Sequence, residues 1–192
     1  MSGFGARQEV EIKLRLDNAA TGRRLLRKAG FRVSRRRAHE GNVVFDTPER
    51  TLRARGMLLR LRRYGRDSTL TFKGPATPGK HKSRRELETS VHDPDILENI
   101  FLLLGFIPTF RYEKYRTEYL RTNCGVVATL DETPIGVFIE LEGEGSTIDR
   151  VSRQLGFTEL AYITDSYAGL YISYRRRRGG AADRMVFRSG QV

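Results

Sequence analysis

The sequence has no tryptophan, one cysteine and three histidines in 192 residues. A lone Cys124 excludes a disulfide framework and fits a reducing compartment. It is expected as a small apolar core residue and not as a nucleophile. His39, His81 and His92 are scattered without ligand spacing, so a zinc site is not expected. Long apolar runs are missing too. The longest nearly apolar stretch, Ile100 to Ile107, falls far short of the ~20 residues that cross a bilayer. Met1 to Gln8 carries no apolar signal-peptide core. These absences lead to the expectation of a cytoplasmic protein without a membrane segment.

Positive charge and core-forming residues are abundant. The hydrophobic fraction of 39% suffices for a real core. The net charge of +12 divides unevenly: residues 175–192 hold six Arg against Asp183, and the remainder is still basic. A basic globule implies an anionic partner, either nucleic acid or a phosphorylated small molecule. The expected organisation is one domain over 1–174, followed by a basic, flexible tail over 175–192.

A pattern recurs three times: a charged strand, a helix-start signal, an amphipathic stretch and then Gly-Phe. The copies end at Gly30-Phe31, Gly105-Phe106 and Gly156-Phe157. Asp17, Asp93 and Ser146 are the expected caps, with Pro94 suited to a first helical turn. Each Gly can adopt the left-handed conformation that closes a helix. Between these helices lie strand-like segments near 41–46, 57–65, 68–74, 84–91, 109–121, 125–132 and 136–144. Pro75, Pro78 and Gly79 mark a loop containing Lys80, His81 and Lys82. With a first strand at 9–16 this makes about eight strands, mostly hairpin-linked, and three or four helices: an α+β chain dominated by an antiparallel sheet.

Residues two apart on a strand share a face. Glu9, Glu11, Lys13 and Arg15 therefore lie opposite Val10, Ile12, Leu14 and Leu16. Arg60 and Arg62 pair in the same way, as do Thr71 and Lys73, Arg84 and Glu86 with Glu88, Lys114 and Arg116, Thr129 and Asp131, and Glu140 with Glu142. One charged face is an ordinary solvated surface; six or seven in succession are not. If the sheet closes, the charged face becomes a lumen. So many charges inside require compensating ions. Glu9, Glu11, Glu140 and Glu142 supply hard oxygen ligands suited to Mg²⁺ or Mn²⁺. Lys13, Arg60, Arg62, Lys73, Arg85 or Arg84, Lys114 and Arg116 supply phosphate donors. That many cations exceed what a monophosphate would neutralise and match a triphosphate with metal.

Glu9-x-Glu11-x-Lys13 resembles the signature of the CYTH superfamily, the triphosphate tunnel metalloenzymes. The resemblance continues, in order, through Val44 to Glu49, Leu59 to Arg63, Leu70 to Gly74, Arg84 to Glu88, Lys114-Tyr115-Arg116, Thr129-Leu130-Asp131 and Phe138 to Glu142. It implies an eight-stranded antiparallel barrel, the triphosphate tunnel, with flanking helices. It implies metal at Glu9, Glu11, Glu140 and Glu142, and phosphate at the cations named above. Glu88, with Glu86 beside it, and Asp131 would orient a second metal or the attacking water, and Lys13 joins Glu88 and Asp131 in the catalytic set. The activity implied is metal-dependent hydrolysis of inorganic or thiamine triphosphate, with class IV-type cyclisation of ATP to cyclic AMP as the alternative. A second alternative is a non-catalytic polyphosphate- or nucleotide-binding module. Both acidic pairs being present speaks against that one.

The chain departs from many relatives at Asp165, where a Lys often precedes Ser-Tyr. Ser166-Tyr167 with Leu170 is expected to cap and pack a closing helix. Arg35-Arg36-Arg37 and Arg175 to Arg178 are charge runs, expected as solvated helix ends or tails. Nucleic acid is thus expected to bind through the basic tail at most, and the assembly state is expected to be a monomer or homodimer.

Overall fold

Ile12 and Leu14 are fully buried on one side of the first strand, while Glu9, Glu11 and Lys13 are buried on the other. That double burial requires a barrel whose interior holds the charges. A computed structural model of the protein describes residues 7–77, 79–179 and 183–188. Pro78 and much of the expected tail, residues 180–182 and 189–192, lie outside the described residues. The strands are β1 (Arg7–Leu16), β2 (Arg32–Asp46), β3 (Leu58–Tyr64), β4 (Asp67–Lys73), β5 (Lys82–Ser90), β6 (Ile107–Leu120), β7 (Val126–Thr133) and β8 (Gly136–Gly143). They run in the order β2-β3-β4-β5-β1-β8-β7-β6, and β2 pairs with β6 to close the ring. Every adjacent pair in the ring is antiparallel. A two-residue strand, β9 (Arg184–Met185), adds parallel to β6.

The apolar core lies outside this ring, under the helices α1 (Ala19–Lys28), α3 (Pro94–Leu103) and α4 (Gly145–Gln154). Ile12, Leu14, Leu130, Ile139 and Leu141 of β1, β7 and β8 pack on Leu26 of α1 and on Ile148, Val151 and Leu155 of α4. Val43, Phe45 and Leu61 of β2 and β3 pack on Phe101 of α3. A short helix α2 (Thr51–Ala54) follows β2 and is tied by Asp46, which accepts from the amides of Leu52 and Arg53. The helix α5 (Tyr167–Arg178) sets Tyr167 among Phe110, Tyr112, Phe138 and Met185, closing one end of the barrel. No helix among the described residues is long and apolar enough to cross a membrane.

The three Gly-Phe signals act as expected. Gly30, Gly105 and Gly156 have φ of 84°, 86° and 91°. The following Phe31, Phe106 and Phe157 amides return to Leu26, Phe101 and Ser152 at 2.9, 2.9 and 3.0 Å, which is the left-handed closure of a helix C-terminus. The N-caps agree only at Asp93, which accepts from Asp95 and Ile96. Asn18 caps α1 in place of Asp17, and Glu144 caps α4 in place of Ser146.

Arg175 to Arg178 form a helix end as expected, but the expectations for the other charge run and for the tail boundary need correction. Arg35, Arg36 and Arg37 are not a helix end or tail; they lie in the first half of β2, paired with β6 through two register shifts. The boundary at residue 175 falls inside α5, whose last turn is Arg175 to Arg178. Beyond it, Met185 of β9 is fully buried, so part of the expected tail is docked on the barrel.

Candidate functional site

The barrel encloses a cavity of about 400 Å³. Its lining includes eight cations, Lys13, Arg60, Arg62, Lys73, Lys82, Arg84, Lys114 and Arg116, and seven carboxylates, Glu9, Glu11, Glu86, Glu88, Glu118, Glu140 and Glu142. The strand register explains this concentration. Glu11 faces Glu142 and Lys13 faces Glu140 across β1 and β8, and Glu9 faces Arg84 across β1 and β5. Every second residue on each wall therefore meets a charged neighbour.

Ion pairs hold these groups against their burial. Lys73 reaches Glu9 at 2.5 Å and Glu86 at 3.1 Å, and Arg84 reaches Glu9 at 3.1 Å. Burial and neighbouring Glu11 push the Glu9 carboxyl up, but Lys73 and Arg84 outweigh them and leave it below its usual value. Lys13 and Lys82 bind Glu11 at 3.1 and 2.9 Å and overcome its desolvation, so Glu11 titrates well below the usual range. Glu140 ends on the other side. Burial raises it, Lys13 only partly offsets that, and contact with Glu11 leaves it at about 7. Lys82 is pulled down to about 8 by burial and by repulsion from Lys13.

Behind the wall nearest α5, Asp131 is completely buried. Its oxygens accept from Lys114 at 2.9 Å, from Arg116 at 2.7 and 2.6 Å, and from the Tyr167 hydroxyl at 2.8 Å. Despite full burial, Arg116 and Lys114 hold it far below the usual carboxylate range. Glu40, also fully buried, lies 3.3 Å from Lys114 and 3.8 Å from Arg116 and accepts from Asn42. Burial raises its pKa, and the two cations bring it down to about 2. Lys114 and Arg116 thus project into the cavity from a doubly acidic base. At the more open side, Arg62 and Thr71 donate to Glu88 at 3.2 and 2.9 Å. Toward Tyr167, Arg60 donates to the Tyr112 hydroxyl at 3.1 Å.

Of the residues chosen from sequence, Glu9, Glu11, Lys13, Arg60, Arg62, Lys73, Glu88, Lys114, Arg116, Glu140 and Glu142 all line this cavity. Two do not. Arg85 is exposed on the outer face of β5, because the period of two puts Lys82, Arg84 and Glu86 inside. Asp131 is fully buried outside the cavity lining and braces Lys114, Arg116 and Tyr167. Three residues of the site are not among those expected: Lys82, in the proline-glycine loop by sequence; Glu40, one residue before the strand expected at 41–46 but in continuous alternation with Asn42 and Val44; and Glu118, on the cavity face of β6. Among the described residues, no three His, Cys, Asp or Glu side chains converge as a ready-made metal cage. Of the carboxylates expected to ligate metal, Glu9 is paired with Lys73 and Arg84, Glu11 with Lys13 and Lys82, and Glu140 with Lys13 and Arg116.

Comparison with known proteins agrees with this geometry. The CYTH domain pattern matches residues 7–166. A candidate adenylate cyclase of Methanocaldococcus jannaschii is 30% identical over 148 residues, covering 77% of this chain and 83% of that protein. The solved structure of a Pyrococcus horikoshii OT3 protein superposes with a TM-score of 0.72 at 27% identity, over 87% of this chain and 99% of that one. A Hippeastrum protein, described as a candidate adenylyl cyclase with a dominant triphosphatase activity, has the same fold. Its TM-score is 0.61 at 23% identity, over 90% of this chain and 97% of that one. With its barrel, its ordered charged strands and a family match over most of its length, the chain belongs to the CYTH family.

Proposed function

We propose that this chain is a triphosphatase that draws inorganic or thiamine triphosphate into the barrel and hydrolyses it with Mg²⁺ or Mn²⁺. The observation that carries this reading is the cavity of about 400 Å³ lined by eight cations. A triphosphate is the compact ligand with enough charge to engage so many at once. Lys13, Lys114 and Arg116 lie toward α5, where Lys13 and Lys114 also sit over the Tyr167 ring at 5.3 and 4.9 Å. Lys13 and Arg116, held charged by their carboxylate partners, would act with Lys114 to stabilise negative charge on the phosphoryl oxygens as the bond to the leaving group breaks. Glu88, which accepts from Arg62 and Thr71, would be the carboxylate that orients water at the opposite side.

The donor set fits a hard divalent cation. Glu9, Glu11, Glu140 and Glu142 share one face of two adjacent strands and offer only oxygen ligands. Glu11 and Glu140 touch, and Glu140 keeps its proton to about 7, so positive charge is wanted where that proton sits. A cation bound there would offset phosphoryl charge and polarise a water. Glu9→Gln and Glu142→Gln are expected to abolish metal-dependent phosphate release while leaving the circular dichroism spectrum intact. Unchanged turnover in both variants would sink the proposal.

A second reading, cyclisation of ATP, has the description of the Methanocaldococcus jannaschii relative in its favour. Incubation of the protein with inorganic triphosphate, thiamine triphosphate and ATP separates the two. Cyclic AMP with equimolar pyrophosphate marks the cyclase, and orthophosphate marks the hydrolase.

A further inference from the structure

Exposed apolar residues are concentrated on one helix. Of nine exposed large hydrophobic residues among those described, six lie between Ile96 and Ile107, on α3, its C-cap Leu104 and the first residue of β6. Ile96, Ile100, Leu103 and Leu104 are 58%, 44%, 88% and 69% exposed. Their spacing places them on a single stripe of α3, turned away from Leu97 and Phe101, which pack on β2 and β3. We propose that this stripe is the two-fold interface of a homodimer, α3 packing against α3 of a second copy.

Size, charge and pattern select that partner. The four side chains expose roughly 500 Å², the upper range for the largest apolar patch on a monomer. Two such patches together bury about 1,000 Å², the lower bound for a specific interface. The chain as a whole is strongly basic, at +12, which opposes self-association. Around α3 that repulsion is cancelled locally. Arg63 pairs with Asp95 at 2.6 Å and Glu98 at 3.6 Å, and Arg111 pairs with Glu98 at 2.9 Å. The helix itself carries Asp95 and Glu98 and no Lys or Arg. A helix lying on an anionic membrane needs the opposite, a basic polar face. A nucleic acid would likewise find no cation on the stripe. The 4-3 spacing of Ile96, Ile100 and Leu103 is that of a helix–helix seam, and a seam meeting its own copy across a two-fold axis is complementary to itself.

Sedimentation velocity of the full chain from about 1 to 100 µM tests this, since an interface of this size predicts dissociation in the micromolar range. The wild-type chain should shift from monomer to dimer over that range. Leu103→Glu with Leu104→Glu should stay monomeric throughout, with unchanged thermal unfolding at low concentration, because both side chains are mostly in solvent. If that pair misfolds, Leu103→Ser should weaken the dimer at least tenfold. A wild-type monomer at the highest concentration, or a variant that dimerises like wild type, overturns the proposal. So does flotation with phosphatidylserine vesicles that the double variant abolishes, which would make the stripe a membrane contact.

Discussion

Asp131→Asn exchanges one oxygen for an amide nitrogen, yet it should cost the fold about 3–5 kcal/mol, the range for breaking a buried ion pair from one side. The structure shows why. Asp131 is 0% exposed and accepts four hydrogen bonds, three of them from Lys114 and Arg116. An Asn amide group turned toward those donors leaves at least one of them unsatisfied, worth about 1–3 kcal/mol alone. The two cations then lean on Glu40, at 3.3 and 3.8 Å, and on Glu140, at 2.9 Å from Arg116. For a chain of this size the loss corresponds to a melting temperature lower by roughly 6–20 °C. Thermal and urea unfolding by far-ultraviolet circular dichroism measure it. Because the variant lacks negative charge beside Lys114 and Arg116, inorganic triphosphate should raise its melting temperature more than that of the wild type. A fall below about 2 °C would refute the bracing role. Loss of hydrolysis at unchanged stability would refute it too, since Asp131 would then act on the reaction directly.

Two further outcomes follow from strand parity and from burial. Arg84→Ala should weaken inorganic triphosphate binding by about tenfold or more, the worth of one charged hydrogen bond, while Arg85→Ala should leave it within about twofold. Isothermal titration of both variants decides, and equal effects would mean that β5 is turned the other way. Lys82 titrates near 8, below its usual 10.5, so its charge in the free protein is lost as pH rises through 8. Between those values the unfolded chain binds the extra proton, so this group adds stability as pH rises and withdraws it as pH falls through 8. For binding the sign is reversed: affinity of the metal-free protein for triphosphate should fall across pH 8 by about tenfold. Lys82→Arg should flatten that fall because a guanidinium stays charged. Comparing the two proteins at each pH cancels the ionisation of the ligand, and parallel profiles would rule Lys82 out as the cause.

Much of this architecture was legible wherever alternation was unbroken. β1, β3, β4, β6 and β8 alternate with a period of two, and the site residues expected on them, from Glu9 to Glu142, line the cavity, with Glu118 of β6 as an addition. The failures have specific physical causes. Arg84-Arg85 is a pair of identical letters; Arg84 shares the parity of Glu86 and Glu88, and the register of β5 against Glu9 places it inward. Glu40 keeps the parity of Asn42 and Val44 but lies one residue before the strand expected at 41–46, so it falls outside the segment in which faces are counted. Lys82 follows a proline-glycine loop and begins its strand without a visible alternation. Asp131 has the right parity, but whether an inward residue reaches open space or is buried behind its neighbours depends on how long those neighbours are. The closing helix was readable from Ser166-Tyr167, because capping is local; β9 was not, because two residues show no period.

Placing the apolar core outside the ring has a consequence for how such a sequence can diverge. Each strand carries two independent requirements at alternate positions. Outward residues must fill space against a helix, and Ile12 or Leu141 could exchange for another aliphatic of similar volume without disturbing the lumen. Inward residues must balance charge, and change there is constrained in acid–base pairs rather than by volume. Outward packing and inward charge balance are therefore set at different positions of the same strand, and they couple only where an inward residue such as Asp131 also braces the fold. The barrel keeps its shape against a protein with which it shares 27% identity.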